Sequence, residues 1–114
     1  MNKRVTFKGM EHSSVLEEYA NGQLVKVEEF LENERTPVYL DLVFEPSKVH
    51  AHHKIELRVK SPHYDKISNY EGTDFYQTLD RVVDVMYHEL LEEKRRRIDE
   101  KKMRGRHEDF KGQR

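Results

Sequence analysis

The chain has 114 residues, enough for one hydrophobic core and too few for two. It contains no cysteine, which excludes disulfides and thiolate metal centres, and no apolar run near membrane length; with no secretory leader in Met1-Asn2-Lys3-Arg4, a cytoplasmic location is expected. The formal net charge of −1 hides an asymmetry: residues 92–114 hold ten Lys/Arg against six Asp/Glu, leaving eleven against sixteen in 1–91, so a basic end follows an acidic body.

Arg4-Val5-Thr6-Phe7-Lys8 alternates polar and apolar residues, as a strand with one buried face requires, and Gly9 ends it. Ser13 or Ser14 can cap the next element, with Glu17 placed three after Ser14 as in a capping box. Leu16, Tyr19, Ala20, Leu24, Val27, Phe30 and Leu31 follow helical spacing and predict a first helix, which Gly22 weakens by about 1 kcal/mol relative to alanine. Asn33 to Pro37 breaks it.

Val38, Leu40, Leu42 and Phe44 predict a second strand closed by Pro46-Ser47. Ile55, Leu57 and Val59 alternate with Lys54, Glu56, Arg58 and Lys60, predicting a third strand with a charged outer face. After the turn residues Ser61-Pro62-His63, the segment Tyr64 to Tyr70 is a weaker fourth strand, because Ile67 and the two tyrosines fall on opposite faces.

Thr73 is the expected cap of the last helix, with Asp74 placing negative charge at the positive end of its dipole. Phe75, Tyr76, Leu79, Val82, Val83, Met86, Tyr87, Leu90 and Leu91 then recur at three- and four-residue intervals, which marks one buried face. Beyond Leu91 the helix has almost nothing to bury and must project from the body. The element order β-α-β-β-β-α is expected to form an α+β domain, with both helices on one face of a four-stranded mixed sheet.

These residues resemble the ribosome hibernation-promoting factors, the family also called ribosome-associated inhibitor or protein Y. The resemblance covers about residues 4–98; residues 1–98 are taken as the RNA-binding domain and 99–114 as a flexible charged extension. It rests on Gly9-Met10-Glu11, on Leu24-x-Lys26-Val27-Glu28, on the element order, and above all on Glu71-Gly72-x-Asp74-x-Tyr76-x-x-Leu79-Asp80. It implies a short, single-domain factor, monomeric when free, that binds ribosomal RNA of the small ribosomal subunit. Such a factor blocks the channel used by messenger and transfer RNA, silences stored ribosomes, and uses no cofactor, catalysis, DNA or membrane. It also implies a fold similar to double-stranded-RNA-binding domains, which recognise duplex shape and phosphate.

The chain departs from the family pattern where Val85, His88 and Glu92 replace basic residues on the packed part of the last helix. Basic character moves to Lys94, Arg95, Arg96, Arg97, Lys101, Lys102 and Arg104, with Arg81, Lys26, Arg58 and Lys60 elsewhere. Together these eleven are the candidate RNA-binding residues, because phosphate contact is electrostatic and largely indifferent to sequence. The plain alternative is a solvated helix whose charge pairs nearly cancel.

His50, His52, His53 and His63 lack the cysteines or carboxylates that would specify a metal, and Tyr39, Tyr64 and Tyr70 suit base stacking or packing. No catalytic or phosphate-loop motif is present. The alternative functions are a general structured-RNA binder and a diverged protein-interaction module presenting Asp80, Asp84, Glu89, Glu92 and Glu93.

Overall fold

The computed structural model describes residues 1–47 and 52–112, with side chains described up to residue 103. Its elements are β1 (Asn2–Phe7), α1 (Ser14–Phe30), β2 (Tyr39–Pro46), β3 (His53–Lys60), β4 (Asp65–Gly72) and α2 (Phe75–Gly112). The sheet order is β1-β2-β3-β4, with β1 parallel to β2 and the other pairs antiparallel. A parallel pair needs a crossover, which α1 supplies, while short connections suffice for antiparallel neighbours. The result is the expected α+β layer of two helices on one face of a mixed sheet.

The strand alternation fixes which sheet face is covered. Leu40, Leu42 and Phe44 of β2 and Ile55, Leu57 and Val59 of β3 are wholly buried. They meet Ala20, Leu24 and Val27 of α1 and Leu79, Val82, Val83, Met86 and Leu90 of α2 in one cluster. Full burial of a Val, Leu, Ile, Phe or Met side chain contributes about 1.5–3 kcal/mol, so this cluster is the main source of stability. Among the described side chains Leu90 is the last fully buried one of α2, and the helix continues to Gly112 as an overhang.

Of the two serines expected as caps of the first helix, Ser13 serves, and only the start of α2 differs from expectation, by one residue. Ser13, in extended backbone, caps α1 by accepting from the Leu16 amide at 3.3 Å, and Ser14 is already helical. Glu17 therefore falls outside a capping box and instead meets the His12 ring at 2.5 Å. At α2 the cap is Asp74, whose Oδ1 accepts from the amides of Tyr76 at 2.8 Å and Gln77 at 3.4 Å. A carboxylate there satisfies two orphan donors and complements the helix dipole, leaving Thr73 one step outside.

The facing of β4 is also settled. Tyr64 and Ser68 are buried and Tyr70 packs against the core, while Ile67 is 47% exposed. The register puts Ser68 beside Leu57 and Tyr70 beside Ile55, both inward-facing partners. The two inward tyrosines pack on the core and lie under Arg97 and Arg81 of α2, while Ile67 stays outside.

Candidate nucleic-acid interface

On α2 the three- and four-residue spacing that places Leu79, Val83, Met86 and Leu90 against the sheet continues to Lys94, Arg97 and Lys101. The helix face that is apolar over the core is therefore basic where it leaves the core. The change of chemistry is not abrupt. Lys94 Nζ lies 5.6 Å from the centre of the Phe30 ring, and the Arg97 guanidinium lies 4.7 Å from that of Tyr64 and donates to its hydroxyl at 3.0 Å. Phe30 and Tyr64 meet edge to face at 5.4 Å, so two cations and two rings form a continuous step from core to overhang. Among the described residues the buried Arg97 Nε has no acceptor.

Next to this step, Glu34 ties the loop after α1 to the turn between β3 and β4. Its carboxylate accepts from the Ser61 hydroxyl at 2.9 Å and the His63 amide at 2.9 Å, and meets His63 Nδ1 at 3.0 Å. Burial raises the Glu34 pKa, but the bonds from His63 and Ser61 outweigh it, so the net direction is downward. Burial raises the Tyr64 pKa, with the nearby Arg97 charge opposing and Glu34 adding to the rise, and the phenol stays neutral. A shallow groove beneath the overhang is lined by His63, Arg97, Ile98, Glu100 and Lys101.

The remaining candidates are distributed differently. Arg96 pairs with Glu93, which also meets Lys66 of β4 at 3.6 Å. Arg81 lies over the Tyr70 ring at 4.6 Å. Lys26 pairs with Asp84 across the two helices and lies 5.4 Å from the Tyr87 ring centre. Arg95, Lys101 and Lys102 are exposed and make no ion pair among the described residues. The side chain of Arg104 lies outside the described residues, as does His50; among the described residues no group of three or more potential metal ligands occurs.

Arg58 and Lys60 lie on the open sheet face, away from the helices. The register arranges that face in rows: Asn2-Tyr39-Lys60-Asp65, then Arg4-Asp41-Arg58-Ile67, then Thr6-Val43-Glu56-Asn69, with Glu45-Lys54-Glu71 and the adjoining Lys8 at the far end. Basic and acidic residues are equal in number across it. Arg4–Asp41, Lys8–Glu45, Lys54–Glu45 and Arg58–Asp65 approach to 3.8–3.9 Å between well-hydrated side chains. Such pairs contribute little to stability, but they divide the face into local patches instead of one basic plane. The structure thus groups Lys94, Arg97 and Lys101 at the overhang and separates them from Arg58 and Lys60.

Sequence reasoning missed Phe30, Tyr64 and Glu34 as parts of this region. Each lies far along the chain from the residue it serves, and no spacing rule links a strand tyrosine to an arginine 33 residues later.

A family model described as "Sigma 54 modulation protein / S30EA ribosomal protein" matches residues 4–98. Comparison with curated proteins finds no match. Among solved structures, the fold is similar to the Protein Y N-terminal domain of Thermus thermophilus, with TM-score 0.64, 18% identity, and coverage of 79% of this chain and 96% of that one. It is also similar to a ribosomal subunit interface protein from Coxiella burnetii, with TM-score 0.61, 20% identity, and coverage of 82% and 98%. At these identities the likeness shows the fold. No described helix is long and apolar enough to cross a membrane.

Proposed function

Because the chain belongs to the Sigma 54 modulation protein / S30EA ribosomal protein family, we propose that it is a ribosome-binding factor that inhibits translation by holding small-subunit ribosomal RNA in the messenger and transfer RNA channel. The observation carrying this reading is the basic continuation of the core-facing side of α2 through Lys94, Arg97 and Lys101. A rigid helix that leaves the body with cations on its underside can follow a phosphate backbone, and the Arg97–Tyr64 contact holds the first part of that surface in place. No enzyme chemistry is part of the proposal, and the family resemblance implies no cofactor.

Each phosphate neutralised releases counterions, so association should weaken steeply as salt rises. Pelleting with purified ribosomes across a salt series is the test. Failure to co-sediment at low salt would overturn the reading, and ribosome density with the bound factor would locate the channel contact. The protein-interaction alternative has less support: Asp80 accepts from the Tyr19 hydroxyl, Asp84 pairs with Lys26, and Glu93 holds Lys66 and Arg96. Those carboxylates already serve the fold.

A further inference from the structure

Two tyrosines on this molecule are similarly exposed, Tyr39 at 44% and Tyr76 at 41%, yet their surroundings are opposite. Tyr76 meets the Tyr19 ring edge to face at 4.8 Å, and its amide donates to Asp74; Asp80 holds the neighbouring Tyr19 hydroxyl. It is a partnered ring in acidic surroundings. Tyr39 starts β2 on the open sheet face, has no ring partner among the described residues, and separates two shallow depressions. Arg58 and Lys60 line one, Asn2 and Arg4 line the other, and Asp41 borders both. Lys60 is directly opposite Tyr39 in the β2–β3 register and has no ion pair among the described residues.

The geometry points to an unpaired-base site at this end of the sheet: Tyr39 as the stacking platform for one base of single-stranded RNA, with Arg4, Arg58 and Lys60 taking the flanking phosphates. An exposed aromatic face accepts any base because every base has a π face, and cations on both sides suit a backbone that passes over it. The Asp41 carboxylate, accessible from both depressions, can accept a hydrogen bond from an exocyclic amine, as acidic side chains do from cytosine. The ion pairs that Arg4 and Arg58 make, both at 3.9 Å and both hydrated, are loose enough to exchange for phosphate. Elsewhere on the face Lys8 and Lys54 stand against Glu45, Glu56 and Glu71, so the rest is net negative and the attraction is confined to this end.

This site lies on the face opposite the helices and thus extends the ribosome-binding reading, on which its biological setting rests, to a second contact with unpaired RNA. The chain has no tryptophan, so Tyr39→Trp introduces a single reporter at the platform and Tyr76→Trp an equally exposed control. A short unstructured RNA of adenosine and cytidine, about eight nucleotides long, is titrated into each variant. Saturable quenching of the reporter at position 39, with little at 76, is expected. Competition by Tyr39→Ala should be weaker than by the unchanged protein by roughly five- to a hundredfold, and Tyr39→Phe should compete nearly as well as the unchanged protein.

Equal quenching at both positions, no quenching at 39, or equal quenching by the RNA hybridised to its complement would each overturn the site. The oligonucleotide assay contains no ribosome, so its failure beside intact co-sedimentation removes this subsite alone. Retained quenching without co-sedimentation removes the ribosome reading alone.

Discussion

Glu34 and His63 are joined twice, through the His63 amide at 2.9 Å and its ring Nδ1 at 3.0 Å, both reaching the same carboxylate oxygen. That oxygen also takes the Ser61 hydroxyl, so one acidic side chain fixes the turn from which Tyr64 enters the core. Replacing Glu34 with alanine leaves these groups without their acceptor and should cost about 1–2 kcal/mol, read from the midpoint of urea unfolding. The pH dependence follows from the lowered Glu34 pKa. A carboxyl depressed in the folded state stabilises above its unfolded pKa, and that stabilisation is lost as pH falls through the folded value. Acidifying from about pH 5 to about pH 3 should therefore destabilise the unchanged protein more than Glu34→Gln. Equal losses would show that Glu34 carries none of the acid sensitivity.

The cap of α2 is tested by a pair of substitutions. Asp74→Ala removes the acceptor of two amides and should cost about 1 kcal/mol, whereas Thr73→Ala should cost less than half as much. The reverse order in thermal melts would restore Thr73 as the cap.

Two glycines should respond in opposite directions to alanine. An added methyl at Gly22 meets nothing within 4 Å, so Gly22→Ala should stabilise by about 0.5–1 kcal/mol through helix propensity. At Gly72 the same methyl would collide with Thr78 Oγ1, and Thr78 is buried. Gly72→Ala should therefore lower the melting temperature, since a branched, packed side chain must shift.

Arg97 and Tyr64 should be energetically coupled. Comparing Arg97→Ala and Tyr64→Leu with the double variant should yield a coupling of about 0.5–2 kcal/mol from the cation–ring contact and the hydrogen bond. Arg97→Lys should recover only part of it, because an ammonium lacks the planar fork that both covers the ring and donates to the hydroxyl. Strict additivity would mean that the overhang is not held by this contact.

Surface charge and fold can be separated on α2. Arg95, Lys101 and Lys102 are exposed without ion pairs among the described residues, so their combined replacement by alanine should leave stability within about 0.5 kcal/mol. The same variant should bind ribosomes more weakly and with a shallower salt dependence, by up to about one unit of log–log slope for each phosphate no longer neutralised. Replacing Arg95, Arg96 and Arg97 together would mix two effects, since Arg96 holds Glu93 and Arg97 holds Tyr64. Unchanged ribosome affinity in the first variant would exclude Arg95, Lys101 and Lys102 from the RNA contact.

The order of elements, the covered sheet face and the core follow from local periodicity, because a strand or helix that buries one face must repeat its apolar residues at two or at three to four. Leu40, Leu42 and Phe44, and Leu79, Val83 and Met86, are legible in that way. The asymmetry of charge along the chain is equally plain. What the periodicity left open was decided by contacts between residues distant in sequence. The facing of β4 is set with its tertiary partners: Ser68 and Tyr70 lie beside the inward Leu57 and Ile55, Tyr64 joins the core, and Ile67 remains outside. Capping depended on backbone geometry, which selected Ser13 over Ser14 for α1 and moved the cap of α2 from Thr73 to Asp74. The run of cations after Leu91 looked uniform as a string, but the fold divides it: Lys94 and Arg97 lie on rings, Arg96 holds a carboxylate, and Arg95, Lys101 and Lys102 remain available. A linear sequence records charge, whereas the partner that neutralises or shields each charge is set by packing across the molecule.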